Sequence, residues 1–98
     1  MGAALKGFAK FKVPGGKLVE VKLKYNESIE SIQILGDFFL YPEDALNDIE
    51  KSLLDLNIGE SEDKIAKLVD ELAKRKSITM IGITPSAIAK AIKMAVGK

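Results

Sequence analysis

Apolar and charged residues alternate with a period of two along the first third of the chain. In residues 5–13, the apolar residues Leu5, Ala9, Phe11 and Val13 alternate with Lys6, Lys10 and Lys12. In residues 17–25, the apolar residues Val19, Val21, Leu23 and Tyr25 alternate with Glu20, Lys22 and Lys24. This alternation is typical of β-strands with one buried and one solvated face. Residues 14–16, Pro-Gly-Gly, separate the two runs as a turn signal, and a third run contains Ile32 and Ile34. The pattern therefore predicts a three-stranded antiparallel meander.

Helical spacing replaces the alternation after residue 41. The first predicted helix begins with Pro42 as its first residue and extends to Leu56. The second begins after Ser61 as N-cap, and the third has Thr84 as N-cap and Pro85 in its first turn. Apolar residues recur at helical spacing in all three segments: Leu46, Ile49, Leu53 and Leu56, then Ile65, Leu68, Val69 and Leu72, then Ile88, Ala91, Ile92, Ala95 and Val96. Each stripe is expected to face the core.

The order of strands and helices predicts an α+β fold, with about three helices packed on one face of a three-stranded antiparallel sheet. Residues 77–83 form either an apolar connector or a short additional strand. A chain of 98 residues is one domain at most, and we assign residues 1–98 to a single domain. It starts at a methionine without an apolar signal segment, so we expect a complete gene product in the cytoplasm.

The composition excludes several kinds of chemistry. The chain has neither cysteine nor histidine, which excludes disulfides, thiolate zinc sites and the usual nucleophile–base pairs. It also lacks a G-x-S-x-G elbow and a phosphate-binding glycine loop. Helical spacing spreads the acids of the first predicted helix over a solvated face rather than a cation site; these are Glu43, Asp44, Asp48 and Glu50. We therefore predict no catalytic residue and no metal site in this chain.

Lysines collect on the polar face of the first two predicted strands. The set comprises Lys6, Lys10, Lys12, Lys22 and Lys24, with Glu20 as the acid among them. Such a face attracts a nucleotide phosphate or an acidic partner surface, or it is an ordinary solvated face whose lysines prevent edge pairing. An alternative function is therefore a free-standing α+β module that binds nucleic acid. Phe8 is the only aromatic residue expected on this face, fewer than single-strand binding usually requires.

The segment IQILGDFFLYPEDAL, residues 32–46, contains the second candidate site. Gly36 and Asp37 turn the chain after the third strand, and we predict a structural role for both. Phe38 and Phe39 follow, and adjacent side chains in extended backbone diverge. We expect one ring to fill the gap between the sheet and the first helix and the other to be an exposed docking anchor. The alternative is a purely structural corner between sheet and helix.

Three segments follow one another along the chain: VPGGKLVEVKL, then IQILGDFF, then GITPSAIAKAI. Together they resemble the small C-terminal accessory domain of lipoate–protein ligases, and the second segment is the most specific. The resemblance extends over nearly the whole chain. The larger catalytic domain of that family, with its arginine-rich and glycine-rich lipoyl-adenylate site and its catalytic lysine, has no counterpart here. Archaeal-type members of the family divide the two parts between separate chains, and this sequence is similar to the small one.

The resemblance implies an accessory subunit that forms a heterodimer with the catalytic large subunit and is inactive alone. The complex would use ATP, Mg and lipoate to make lipoyl-AMP. It would then transfer the lipoyl group to a lysine of the carrier domains of 2-oxoacid dehydrogenase or glycine-cleavage complexes. This chain alone is expected to bind no cofactor, no nucleic acid and no membrane. Candidate contacts with the partner or the nucleotide are Lys10, Lys12, Lys22, Lys24, Phe38 and Phe39.

Overall fold

A computed structural model describes residues 4–97, which contain five strands and three helices. In chain order these are β1 Leu5–Lys12, β2 Leu18–Tyr25, β3 Ile29–Gly36, β4 Phe39–Tyr41, α1 Ala45–Leu53, α2 Glu62–Arg75, β5 Thr79–Ile81 and α3 Pro85–Ala95. The predicted α+β class and the N-terminal meander are confirmed. No helix within the described range is both long enough and apolar enough to cross a membrane.

The meander is an antiparallel sheet in the order β1-β2-β3. At its centre, Val21 of β2 pairs with Ala9 of β1 on one side and with Ile34 of β3 on the other. All three side chains are buried on the same face. Because successive side chains of a strand point to opposite faces, this register places every lysine of β1 and β2 on the other face.

Two helices cover the apolar face of the sheet, and the third packs on them. α3 lies against β1 and β2, α1 lies against β3, and α2 packs mainly on α3. The approach of α3 to β1 is closest at Gly7, where any Cβ atom would collide with the carbonyl oxygen of Ala95. The core between these layers consists of aliphatic side chains, among them Ile29, Ile49 and Ile88, which are fully buried.

The predicted starts of the second and third helices are confirmed in detail. The Ser61 hydroxyl accepts a hydrogen bond from the Lys64 N–H at 3.1 Å, and the Thr84 hydroxyl accepts one from the Ala87 N–H at 3.1 Å. Each bond satisfies one of the N–H groups that a helix leaves without an internal partner at its start. Pro85 occupies the first turn of α3, as expected. Local chemistry is therefore sufficient to begin both helices.

The predicted bounds of the first helix are wrong at both ends. Pro42 precedes the helix in a turn, closed by the bond from the Ala45 N–H to the Pro42 carbonyl at 2.9 Å. The helix then ends at Leu53, and Leu56 lies outside it. The reason is pairing with the start of β3: the Asp55 N–H donates to the Ile29 carbonyl at 2.8 Å, and the Ile29 N–H donates to the Leu56 carbonyl at 2.9 Å. These bonds take the chain out of the helix.

The corner after β3 contains a strand that the sequence pattern did not indicate. β4 pairs antiparallel with β5, which confirms the short additional strand within residues 77–83. Phe39 lies opposite Ile81, Leu40 opposite Met80 and Tyr41 opposite Thr79. Leu40 and Met80 pack against the core, so the residues on either side of them in each strand point away from it.

Candidate interaction surfaces

The outer face of the meander carries the predicted lysines together, and we call it the lysine face. It consists of Lys6, Phe8, Lys10 and Lys12 from β1 and Glu20, Lys22 and Lys24 from β2, with Ser31, Gln33 and Leu35 of β3 beside them. All five lysines are exposed, and the Phe8 ring is 51% exposed at the middle of β1. The structure thus brings Lys10, Lys12, Lys22 and Lys24 onto one surface.

The cross-strand register of the lysine face includes one like-charged pair. Lys6 pairs with Lys24, Phe8 with Lys22 and Lys10 with Glu20. The Val13 N–H donates to the Lys17 carbonyl at 3.0 Å, so hydrogen-bonded pairs in this hairpin involve odd-numbered residues. The lysines therefore occupy the narrow, non-hydrogen-bonded positions, where facing side chains are closest. Like charges opposite each other at such positions destabilise a sheet.

None of the five lysines forms an ion pair with another group of residues 4–97. The two ion pairs of this part of the chain lie elsewhere, between Lys74 and Asp70 at 3.1 Å and between Lys76 and Asp48 at 3.7 Å. Glu20 faces Lys10 across the strands without reaching ion-pair distance. The lysine face is thus a positive surface with little internal compensation.

The two-stranded sheet of β4 and β5 forms a second exposed surface, the apolar ribbon, made of Phe39, Tyr41, Thr79 and Ile81. Phe39 is 60% exposed, Tyr41 54% and Ile81 50%. Phe39 and Ile81 are cross-strand partners, so their side chains lie beside each other on the outer side of the ribbon. Large exposed apolar side chains grouped in this way are typical of protein–protein contact sites.

The GDFF corner, residues 36–39, holds the ribbon next to the meander. A Cβ atom at Gly36 would collide with the Leu18 carbonyl oxygen and would lie 2.7 Å from the Phe38 ring. The Asp37 N–H donates to the same carbonyl at 3.3 Å, so Asp37 acts at this corner through its backbone. Phe38 is half-buried against the core, while Phe39 is exposed. The two rings thus diverge as predicted, although neither is fully buried.

The acids of the first helix do not form a metal site. Within residues 4–97 no group of acidic side chains is arranged to hold a metal ion. Glu43 and Asp44 are exposed, as predicted, but two members of the set have structural partners. Asp48 pairs with Lys76, and the Glu50 carboxylate accepts a hydrogen bond from the Ile34 N–H at 2.8 Å. The prediction of a uniformly solvated face is therefore wrong for Glu50 and Asp48.

Tyr41 and Ile81 are the surface residues that sequence reasoning missed. Both lie in three-residue strands, which are too short for a period-two pattern to emerge. The signal that was available is a pair of short, mostly apolar runs: FLY, which follows Gly36 by three residues, and TMI, which directly precedes Gly82. Their pairing depends on contact between segments about forty residues apart, which no local pattern reports.

Comparison with known proteins gives one informative match. No family model matches the chain, and no curated protein sequence matches it. Among solved structures, a chain from the archaeal lipoylation system of Thermoplasma acidophilum, described as a bi-partite lipoate protein ligase and its E2 lipoyl domain, has the same fold. The two chains superpose with a TM-score of 0.68 at 27% sequence identity, over 94% of this chain and 97% of the other. The comparison confirms the resemblance that the sequence indicated, to the small chain of an archaeal bipartite lipoate protein ligase.

Proposed function

We propose that this chain is the accessory subunit of a two-chain lipoate–protein ligase. With its catalytic partner it supports the ATP-dependent conversion of lipoate to lipoyl-AMP, ahead of transfer of the lipoyl group to a lysine of a carrier domain. The observation that carries this proposal is the match, over nearly the full length of both chains, to a chain of a bi-partite ligase system. The present chain has no histidine, no cysteine and no phosphate-binding glycine loop, so it acts by binding a partner and not by supplying catalytic groups.

The apolar ribbon is the surface that we assign to the catalytic chain. A subunit that stays bound through many turnovers needs an apolar interface, because obligate interfaces resemble a protein core cut in half. Phe39 and Tyr41 are aromatic, a residue class enriched at the centres of interfaces. Leu40 and Met80 on the inner side of the ribbon pack against the core, so the ribbon is already in place before a partner binds. Docking there costs little ordering entropy.

The docked accessory chain assists adenylation by ordering and covering the reaction site. Lipoyl-AMP is a mixed anhydride, which water hydrolyses unless the site excludes it. A small rigid domain that closes over the catalytic chain excludes water and completes the binding site for ATP, Mg and lipoate. This role requires no catalytic group from the accessory chain. It requires only a stable fold and a docking surface.

Reconstitution tests the proposal directly. Pyrophosphate release from ATP, Mg and lipoate is measured with the catalytic chain alone, with this chain alone and with both together. We expect release only from the mixture, because one chain supplies the chemistry and the other completes the site. In the matched control for docking, the double variant Phe39→Ser, Ile81→Ser replaces the wild-type accessory chain in the mixture. Equal release by the catalytic chain without its partner would exclude the proposed role.

A free-standing nucleic-acid-binding module is the second candidate function, favoured by the lysine face. Phosphate attraction by exposed lysines is physically reasonable. The face has one aromatic side chain, Phe8, whereas sequence-tolerant binding of single strands uses several stacked aromatic platforms. The full-length match to a lipoylation system adds no support to this alternative. The ligase role is therefore the better supported of the two.

A further inference from the structure

We infer that the lysine face is the docking surface for an acidic surface of the carrier domain that receives the lipoyl group. This inference rests on the proposed function and adds to it a second role for the accessory chain, which is recognition of the acceptor. The lysines and Phe8 that compose the face are exposed, and they belong to a different sheet from the apolar ribbon. The two surfaces share no residue, so each can be changed without altering the other.

The lysine face has a charge imbalance that an acidic partner relieves. Lys6 and Lys24 face each other at a narrow cross-strand position, and neither has an acidic partner in the described part of the chain. Placing a carboxylate between them replaces repulsion by two attractions. An arrangement that costs stability in the free chain and is relieved by a bound anion is characteristic of a binding surface.

The shape of the lysine face favours a protein surface over a small anion. Lys6 and Lys12 are six residues apart on β1, which corresponds to about 20 Å in an extended strand. A phosphate or a nucleotide contacts only a few lysines spread over this distance, whereas a protein surface spans all of them. The exposed Phe8 ring lies between Lys6 and Lys10 and provides an apolar contact at the centre of the face.

The carrier domain fits this surface better than the catalytic chain does. A carrier arrives without its lipoyl group and leaves with it in every turnover, so its contact must form quickly and break easily. Charged surfaces raise association rates through long-range attraction while adding modest affinity. The apolar ribbon has the opposite character and suits the permanent partner. The division of the two surfaces between two partners follows from this difference.

Charge reversal on the central strand tests the inference in the reconstituted complex. The double variant Lys22→Glu, Lys24→Glu is compared with the wild type in pyrophosphate release without carrier and in transfer to an unmodified E2 lipoyl domain. We expect unchanged pyrophosphate release, an unchanged kcat of transfer, and a KM for the lipoyl domain raised on the order of tenfold. The dependence of kcat/KM on salt should also become flatter, since two attractive charges are lost.

Stability provides a readout that separates binding from folding. Because Lys24 faces Lys6, the substitution Lys24→Glu converts a repulsive pair into an attractive one. The melting temperature of the double variant should therefore stay the same or rise while the KM for the lipoyl domain increases. The matched control is Lys64→Glu, Lys67→Glu on α2, which changes the net charge equally at exposed positions. The control should leave the KM near the wild-type value.

Several outcomes would overturn the inference while leaving the proposed function intact. Normal pyrophosphate release with an unchanged KM for the lipoyl domain would show that the lysine face does not meet the carrier. Loss of assembly or of pyrophosphate release in the lysine variant would assign the face to the catalytic chain instead. An equal increase in the KM of the α2 control variant would show that the change in net charge, and not the lysine face, causes the effect. Single-stranded DNA or RNA provides a further test. If the wild type binds it tightly and in a salt-sensitive way, and the double variant Lys22→Glu, Lys24→Glu abolishes this binding without changing the KM for the lipoyl domain, the lysine face binds nucleic acid instead. Failure of the wild-type mixture to release pyrophosphate would instead reject the proposed function.

Discussion

Gly36 leaves no room for a side chain, and this one position organises the corner between β3 and β4. A Cβ atom there would collide with the Leu18 carbonyl oxygen and press on the Phe38 ring, so the ring packs over the bare backbone. Phe38 is then sheltered on the core side, and the next residue, Phe39, points outward in extended backbone. Two identical neighbouring side chains thus acquire different environments.

Phe38→Ala and Phe39→Ala should have different consequences. Phe38→Ala should lower the free energy of unfolding by about 2 kcal/mol, less than the 3–5 kcal/mol of a fully buried phenylalanine, because its ring is half-buried. Phe39→Ala should change it by less than about 0.5 kcal/mol. It should weaken binding to the catalytic chain by about 2 kcal/mol, as loss of an interface anchor does. Urea unfolding and calorimetric titration measure the two quantities.

The matched control for Phe39 is Met94→Ala on α3. Met94 is 47% exposed and lies outside the ribbon. Met94→Ala should therefore change neither the free energy of unfolding nor the binding to the catalytic chain. Two equally destabilised phenylalanine variants without a separate binding defect would mean that the whole GDFF corner is structural. The docking surface would then lie elsewhere on the chain.

Among the secondary-structure elements, β3 is an edge strand that α1 protects. β3 is the last strand in the order β1-β2-β3, so one of its edges has no neighbouring strand. Such free edges tend to pair with other chains. α1 packs on β3 with Ala45, Ile49 and Leu53 buried. From the same helix, the Glu50 carboxylate accepts the Ile34 N–H at 2.8 Å. The helix thus covers the edge with apolar contact and satisfies one of its backbone donors.

Glu50→Ala should destabilise the domain by about 1–3 kcal/mol, because the Ile34 N–H is left without an acceptor in a partly buried position. Glu50→Gln keeps an acceptor oxygen and should cost less. The specific readout is amide hydrogen exchange at Ile34, which should become faster in the alanine variant. Unchanged protection of the Ile34 amide in Glu50→Ala would show that the carboxylate contributes nothing to this edge.

In the molecule as a whole, charge is distributed unevenly, and the basic groups of α3 differ from those of the lysine face. Residues 41–63 contain eight acids and one lysine. The Lys93 ammonium donates to the carbonyls of Ile58 and Glu60, both at 2.9 Å, and so ties this acidic part of the chain to α3. The Lys90 ammonium lies 5.3 Å from the centre of the Phe11 ring. These two lysines have partners within the fold, whereas those of the lysine face have none among the described residues.

Salt should affect the two proposed interactions differently. Assembly with the catalytic chain through the apolar ribbon should change little between low and high ionic strength and should show a negative heat-capacity change, because it buries apolar surface. Binding of the carrier domain through the lysine face should weaken steadily as salt is added. Isothermal titration at several salt concentrations and temperatures measures both. Steep salt dependence of assembly would mean that charged groups and not the ribbon hold the two subunits together.

Local sequence patterns were sufficient for the meander and for two of the three helix starts. Alternation of apolar residues and lysines specifies the strands because side chains of a strand point alternately to its two faces. Ser61 and Thr84 specify helix starts because their hydroxyls bond amides only three residues away. The lysine face follows from the same alternation, which is why the sequence alone places its five lysines on one surface.

Contacts between distant segments determined the remaining features. The end of α1 depends on hydrogen bonds of Ile29 with Asp55 and Leu56. The ribbon depends on the pairing of β4 with β5. The sequence alone predicts a solvated Glu50, but in the folded chain its carboxylate accepts a hydrogen bond from the Ile34 N–H of β3. In each case the backbone groups of one short segment are satisfied by another that is far away in sequence. Hydrogen-bond pairing of this kind depends on the folded arrangement of the chain, so neither composition nor periodicity reports it.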